Sequence, residues 1–130
     1  MVHKFAALLP LIFLPLLANA AHGQKPSSPP TNAIFTYSPL FGGPLTVRAA
    51  WSWPVNWNDA GGTGTRSYIT KAIVSSTKEV VYSGTAPDGP ILPAIQFDVP
   101  YPATKYTFLV YAVNKYGLVS KPDTYSVFVP

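Results

Sequence analysis

The run Tyr106-Thr107-Phe108-Leu109-Val110-Tyr111-Ala112-Val113-Asn114-Lys115-Tyr116-Gly117 constrains this chain more than any other stretch. An extended backbone sorts its side chains onto two faces at period 2. Tyr106, Phe108, Val110 and Ala112 share one face of an extended strand, and Thr107, Leu109, Tyr111 and Val113 share the other. Aromatic and β-branched side chains, which suit a pleated and half-buried surface, fill nearly every position. Asn114 and Gly117 then supply turn chemistry, because both residue types tolerate positive φ. The spacing predicts a long β-strand with a tight turn at its end.

Met1 to Ala20 reads as a secretory signal peptide. Lys4 gives a basic start, Phe5 to Leu17 is apolar, and Ala18-Asn19-Ala20 places small residues at −3 and −1. The apolar run falls short of the roughly 20 residues that cross a bilayer, and Pro10 and Pro15 interrupt it. No membrane span is therefore expected in the mature chain. Residues 21–31, with Gln24-Lys25-Pro26-Ser27-Ser28-Pro29-Pro30-Thr31 at their centre, read as a Pro/Ser-rich disordered linker. Residues 32–130 are left as one domain, long enough for a core of its own.

Cysteine is absent, so this core carries stability without disulfides. With Lys4 removed, eight basic side chains stand against five acidic ones, a net charge of about +3 with His neutral. These charges are scattered singly, whereas a nucleic-acid footprint clusters them. No nucleic-acid partner is expected.

Further strands follow the same logic. Ile34-Phe35-Thr36-Tyr37, stopped by Pro39, suits an edge strand, and Leu45 to Pro54 places Leu45, Val47, Ala49, Trp51 and Trp53 on one face. Pro54 to Thr65 is a long loop rich in Gly, Asn and Asp, with Trp57 inside it. Arg66–Val74, Thr77–Tyr82, Ile91–Val99 and Tyr125–Val129 complete the strand set, and Ala86-Pro87-Asp88-Gly89-Pro90 is a turn by composition.

Several of these stretches resemble the fibronectin type III family. Thr104, Tyr106, Phe108, Val110, Ala112, Asn114 and Gly117 match, in order, its T-x-Y-x-F-x-V-x-A-x-N strand F followed by Gly. Leu45, Val47, Trp51 and Pro54 are similar to its strand B, L-x-V-x-W-x-x-P, with two extra residues between Val47 and Trp51, and Trp51 keeps the W-x-x-P spacing of a core anchor. Tyr68 stands where the family carries its strand C tyrosine. Pro102, Thr104 and Tyr106 resemble the corner in which a tyrosine hydroxyl bonds back to nearby backbone, and Ser120-Lys121-Pro122 precedes the last strand as S-x-P does in the family. The resemblance implies an all-β fold, a seven-stranded antiparallel β-sandwich with an immunoglobulin-like arrangement.

No catalytic constellation emerges. The mature chain holds one histidine, His22, and its carboxylates Asp59, Glu79, Asp88, Asp98 and Asp123 are not spaced as a pair. Nucleophile elbows, phosphate loops and zinc motifs are missing. Asn56, Asn58 and Asp59 offer one carboxylate, where calcium sites use several. No enzyme activity, cofactor or metal is expected.

What remains is a secreted extracellular module that binds a protein. With Tyr68 inward, Ile69, Lys71 and Ile73 face outward, and the neighbouring strand presents Leu109, Tyr111 and Val113 beside them. The family commonly carries charged or polar residues at the positions of Leu109 and Tyr111. Ile69, Ile73, Leu109, Tyr111 and Val113 are thus the expected contact face, for an unknown extracellular protein or for self-association. One alternative is a carbohydrate- or cell-wall-binding module that stacks polysaccharide on Trp57 with Tyr101 or Tyr116. Another is a structural extracellular subunit.

Overall fold

A computed structural model describes residues 24–28, 36–37 and 45–130. The signal segment and the remainder of the linker lie outside the described residues. Among the described residues there are seven strands: β1 (Thr36–Tyr37), β2 (Leu45–Ala50), β3 (Ser67–Val74), β4 (Val80–Pro87), β5 (Ala94–Val99), β6 (Thr104–Val113) and β7 (Asp123–Val129). Six of them are six residues or longer, and β1 is a two-residue pairing with β2. They form two antiparallel sheets, β1-β2-β5 and β4-β3-β6-β7, with no helix among the described residues.

Alternation builds the core. On β6, Tyr106, Phe108, Val110 and Ala112 are buried, and on β3 so are Tyr68, Thr70, Ala72 and Val74. Val47, Ala49, Phe97 and Val99 answer them from the opposing sheet. Trp51, 1% exposed, fills the middle, edge-on to Tyr68 at 5.4 Å and 6.0 Å from Phe108. Trp53 is 40% exposed, its indole N–H donating to the Gly89 carbonyl at 3.2 Å. The tryptophan with the W-x-x-P spacing is the one in the core.

Some boundaries differ from expectation. The fourth strand was expected over Thr77–Tyr82 but begins at Val80 and continues to Pro87. Ser75 to Lys78 are spent on the turn: the Lys78 N–H donates to the Val74 carbonyl, the Val74 N–H to Glu79, and Lys78 takes φ +65°. The eight residues of β3 offer ladder partners as far as Ser67, and Pro87 is tolerated opposite it because β4 is an edge strand. The fifth strand starts at Ala94, three residues later than Ile91. Pro93 has no N–H to donate; its carbonyl receives the Trp51 N–H, and Ile91 and Leu92 stay exposed.

The tyrosine corner forms. The Tyr106 hydroxyl donates to the Tyr101 carbonyl at 2.7 Å and accepts from the Tyr101 N–H at 2.9 Å. At the other end of β6, Gly117 has positive φ but Asn114 does not. Asn114 acts instead through its side chain, whose Oδ1 accepts the N–H groups of Tyr116 and Leu118, both at 3.0 Å.

Candidate functional site

The expected contact residues lie on one surface. β3 and β6 are neighbours, and their register pairs Ile69 with Tyr111, Lys71 with Leu109 and Ile73 with Thr107. Because Tyr68, Thr70, Ala72 and Val74 point inward, Ile69, Lys71 and Ile73 point out, as do Leu109, Tyr111 and Val113. All six are half-buried by their neighbours on the sheet. Ile69 and Tyr111 are directly opposed, and Leu109 lies within diagonal reach of Ile69 and Ile73. Val80 extends the apolar surface across β4, opposite Ile73, and exposed Phe128 extends it on β7, opposite Lys105.

Polar members of this face are Ser83, Thr85, Thr107, Thr124 and Ser126, with Lys71 and Lys105 as its cations. The five carboxylates lie elsewhere. Asp59, Glu79 and Asp88 are in connections, Asp98 is on the other sheet, and Asp123 opposes inward-facing Val110.

Of the aromatic residues considered for sugar stacking, Tyr101 lies apart from Trp57 and Tyr116. Trp57 lies at the end where β3 begins, and Tyr101 lies beside Thr104 where β6 begins. The ten residues of β6 separate those two ends by roughly 30 Å. Trp57 is half-buried, packed on Tyr68 at 5.7 Å with the Arg66 guanidinium over its ring at 4.8 Å. Its faces are largely taken. The Tyr116 hydroxyl donates to the Ala60 carbonyl, and the Tyr101 hydroxyl to the Glu79 carboxylate. Tyr101 borders an open depression of about 610 Å³ with Val74, Ser75, Thr77, Glu79 and Lys105, far from Trp57 and Tyr116.

The end that holds Trp57 is tied by a polar network the sequence did not reveal. The Asp59 carboxylate, 5% exposed, accepts from Arg66 Nε at 2.8 Å and from its second guanidinium nitrogen at 2.7 Å. It also accepts the Lys115 N–H at 3.1 Å. The Arg66 hydrogen bond holds its pKa down at about 2, against the desolvation that opposes it. The loop's one carboxylate is thus committed to a guanidinium. Burial, then the hydrogen bond it donates to Asp88 at 2.9 Å, raises the Tyr68 pKa.

The supposed linker also joins this network. Gln24–Ser28 packs against the loops, with Pro26 buried, although disorder was expected throughout residues 21–31. Its backbone has fixed polar partners, which its Pro/Ser composition did not disclose.

No family model and no curated protein matches this sequence. Solved structures do. The FN5 domain of Drosophila Lar is similar over 81% of this chain and 97% of its own, at TM-score 0.51 and 18% identity. The fold is fibronectin type III-like. The twitchin kinase region of C. elegans (Fn31-NL-kin-CRD-Ig26) is similar at TM-score 0.59 and 19% identity. The titin kinase with its flanking domains is similar at 0.56 and 21%. Each is matched over 82% of this chain but only 17% of its own length. Against the expected fibronectin type III-like sandwich, the two-sheet architecture, buried tryptophan and tyrosine corner all agree.

Proposed function

We propose that this fibronectin type III-like chain is a secreted extracellular binding module without catalytic activity. It contacts a protein through the outer side of β3 and β6. The observation that carries this reading is the outward set Ile69, Ile73, Leu109, Tyr111 and Val113, laid side by side by the β3–β6 register. A continuous apolar surface on a sheet gains free energy when a second surface removes it from water, at about 25 cal/mol per Å². The secretory reading rests on the composition of Met1 to Ala20.

The test is Leu109→Lys combined with Ile73→Lys in the mature chain. Solution mass, capture of secreted proteins and melting temperature are measured together. Lost self-association or lost capture, with a fold that still melts cooperatively near the parent temperature, supports the contact face. Unchanged capture and mass would remove it, and collapse of the fold would assign these residues to the core.

A further inference from the structure

The loop end of the sandwich holds a stretch of its own chain as a binding site holds a peptide. Gln24–Ser28 has no regular secondary structure. Its main-chain carbonyls are read by side-chain amides from two different loops. Asn58 Nδ2 donates to the Lys25 carbonyl at 2.9 Å, and Asn114 Nδ2 donates to the Gln24 carbonyl at 2.9 Å. Asn114 is 1% exposed, so its amide is aimed from within the fold. Pro26 is buried between these contacts and the next pair, and it brings no N–H that would need a partner.

Ser27 and Asn56 then pair reciprocally. The Ser27 N–H donates to the Asn56 carbonyl at 2.9 Å, and the Asn56 N–H donates to Ser27 Oγ at 2.9 Å. Ser28 Oγ donates to the Lys121 carbonyl at 3.0 Å. Ser27 Oγ also donates to the Asn56 carbonyl at 3.1 Å, so half of these contacts read backbone atoms of the segment and half its serine hydroxyls, and a peptide supplied separately offers the same atoms.

We infer that this end of the domain is a recognition site for an extended peptide of the type X-X-Pro-Ser, which residues 24–28 fill in cis. Asn56, Asn58 and Asn114 are its reading groups, and the site is separate from the outer sheet face. Being part of the same chain, the cis segment has an effective concentration on the order of millimolar. A modest intrinsic affinity therefore keeps the site occupied, and an outside peptide enters once the cis segment is weakened.

The experiment uses the full mature chain carrying Pro26→Asp and Ser27→Ala, which alter the segment and leave the site intact. The side-chain amide resonances of Asn58 and Asn114 are followed by NMR. They should move from their parent positions and return saturably on titration with a capped synthetic peptide of residues 23–29. A peptide of the same composition in reversed order should not restore them. Asn58→Gly, added to that chain, keeps the positive φ of 54° but removes the amide, and should weaken peptide binding about fivefold. Resonances unmoved by the segment substitutions, a titration without saturation, or equal binding after Asn58→Gly would each overturn the inference. Should the segment variant fail to fold, a protease site inserted between Pro30 and Thr31 of the parent chain allows the segment to be cut free. Retention of the fragment on gel filtration supports the site, and its loss with unmoved amide resonances rejects it.

Discussion

The outer faces of the two sheets obey the same alternation and rest on the same core, yet they differ in chemistry. On the β2–β5 pair, Thr46 opposes Asp98, Arg48 opposes Gln96 and Ala50 opposes Ala94. Thr46 Oγ1 donates to Asp98 at 3.1 Å, and the face reads as an ordinary solvated surface. On the β3–β6 pair, the same kind of position holds Ile69 with Tyr111 and Lys71 with Leu109. Folding demands apolar side chains on the inner rows of both sheets. It makes no such demand on the outer rows, as β2 and β5 demonstrate. The apolar choice on β3 and β6 is thus separable from the requirement for a core, and that separation is what mutagenesis can address.

The largest effect should come from the residue beneath both faces. Trp51→Ala is expected to cost about 3–5 kcal/mol in urea unfolding, the range for emptying a core aromatic site. Trp53→Ala should cost under about 1 kcal/mol, since that ring is exposed. A reversed order would mean that the chain leaving β2 is placed wrongly and that the two faces do not share this floor.

The Asp59–Arg66 pair beside the start of β3 comes next. Asp59→Asn should cost roughly 1–3 kcal/mol, the scale of hydrogen bonds to a charged group. The folded carboxylate titrates at about 2 against an ordinary 3.8, so its contribution is complete above pH 3.8 and is lost as pH falls toward 2. Stability measured across that window should fall in the parent, and that part of the fall should be absent in Asp59→Asn. A parallel fall in both would show that the pair contributes nothing.

Tyr106→Phe keeps the ring in the core but removes both hydrogen bonds to Tyr101, with an expected loss of about 1–2 kcal/mol in denaturant titration. It acts at the end of β6 remote from Asn114. Its effect should leave the amide resonances of Asn58 and Asn114 in place.

The smallest stability effects sharpen the comparison most. Leu109→Lys with Ile73→Lys should change stability by about 1 kcal/mol or less, because both side chains lie on the outer face and are only half-buried. Arg48→Ala with Gln96→Ala on the other sheet should stay within about 0.5 kcal/mol. Only the first pair should reduce association or capture. An equal loss from the second pair would erase the distinction between the faces.

Much of the sandwich was legible in the residues. Alternation grouped Tyr106, Phe108, Val110 and Ala112 on one face, and the resemblance to fibronectin type III strands marked that face as inward and Trp51, not Trp53, as the core tryptophan. Strand ends were less legible, since Thr77 and Ile91 have acceptable strand chemistry and lost their places to a turn and to Pro93. The polar end of the domain was not legible at all. Asn114 read as a backbone turn residue, but it works through its side chain.

By itself, then, the sequence determined which side chains share a face, because period 2 is a local property of an extended backbone. Only the tertiary structure decided that Asn114 reaches Gln24, 90 residues away, that Asp59 pairs with Arg66, and that Trp57 and Tyr101 lie at opposite ends. Those outcomes depend on which loops the sheet order brings together. A hydrogen bond between distant residues leaves no period in the chain to be read.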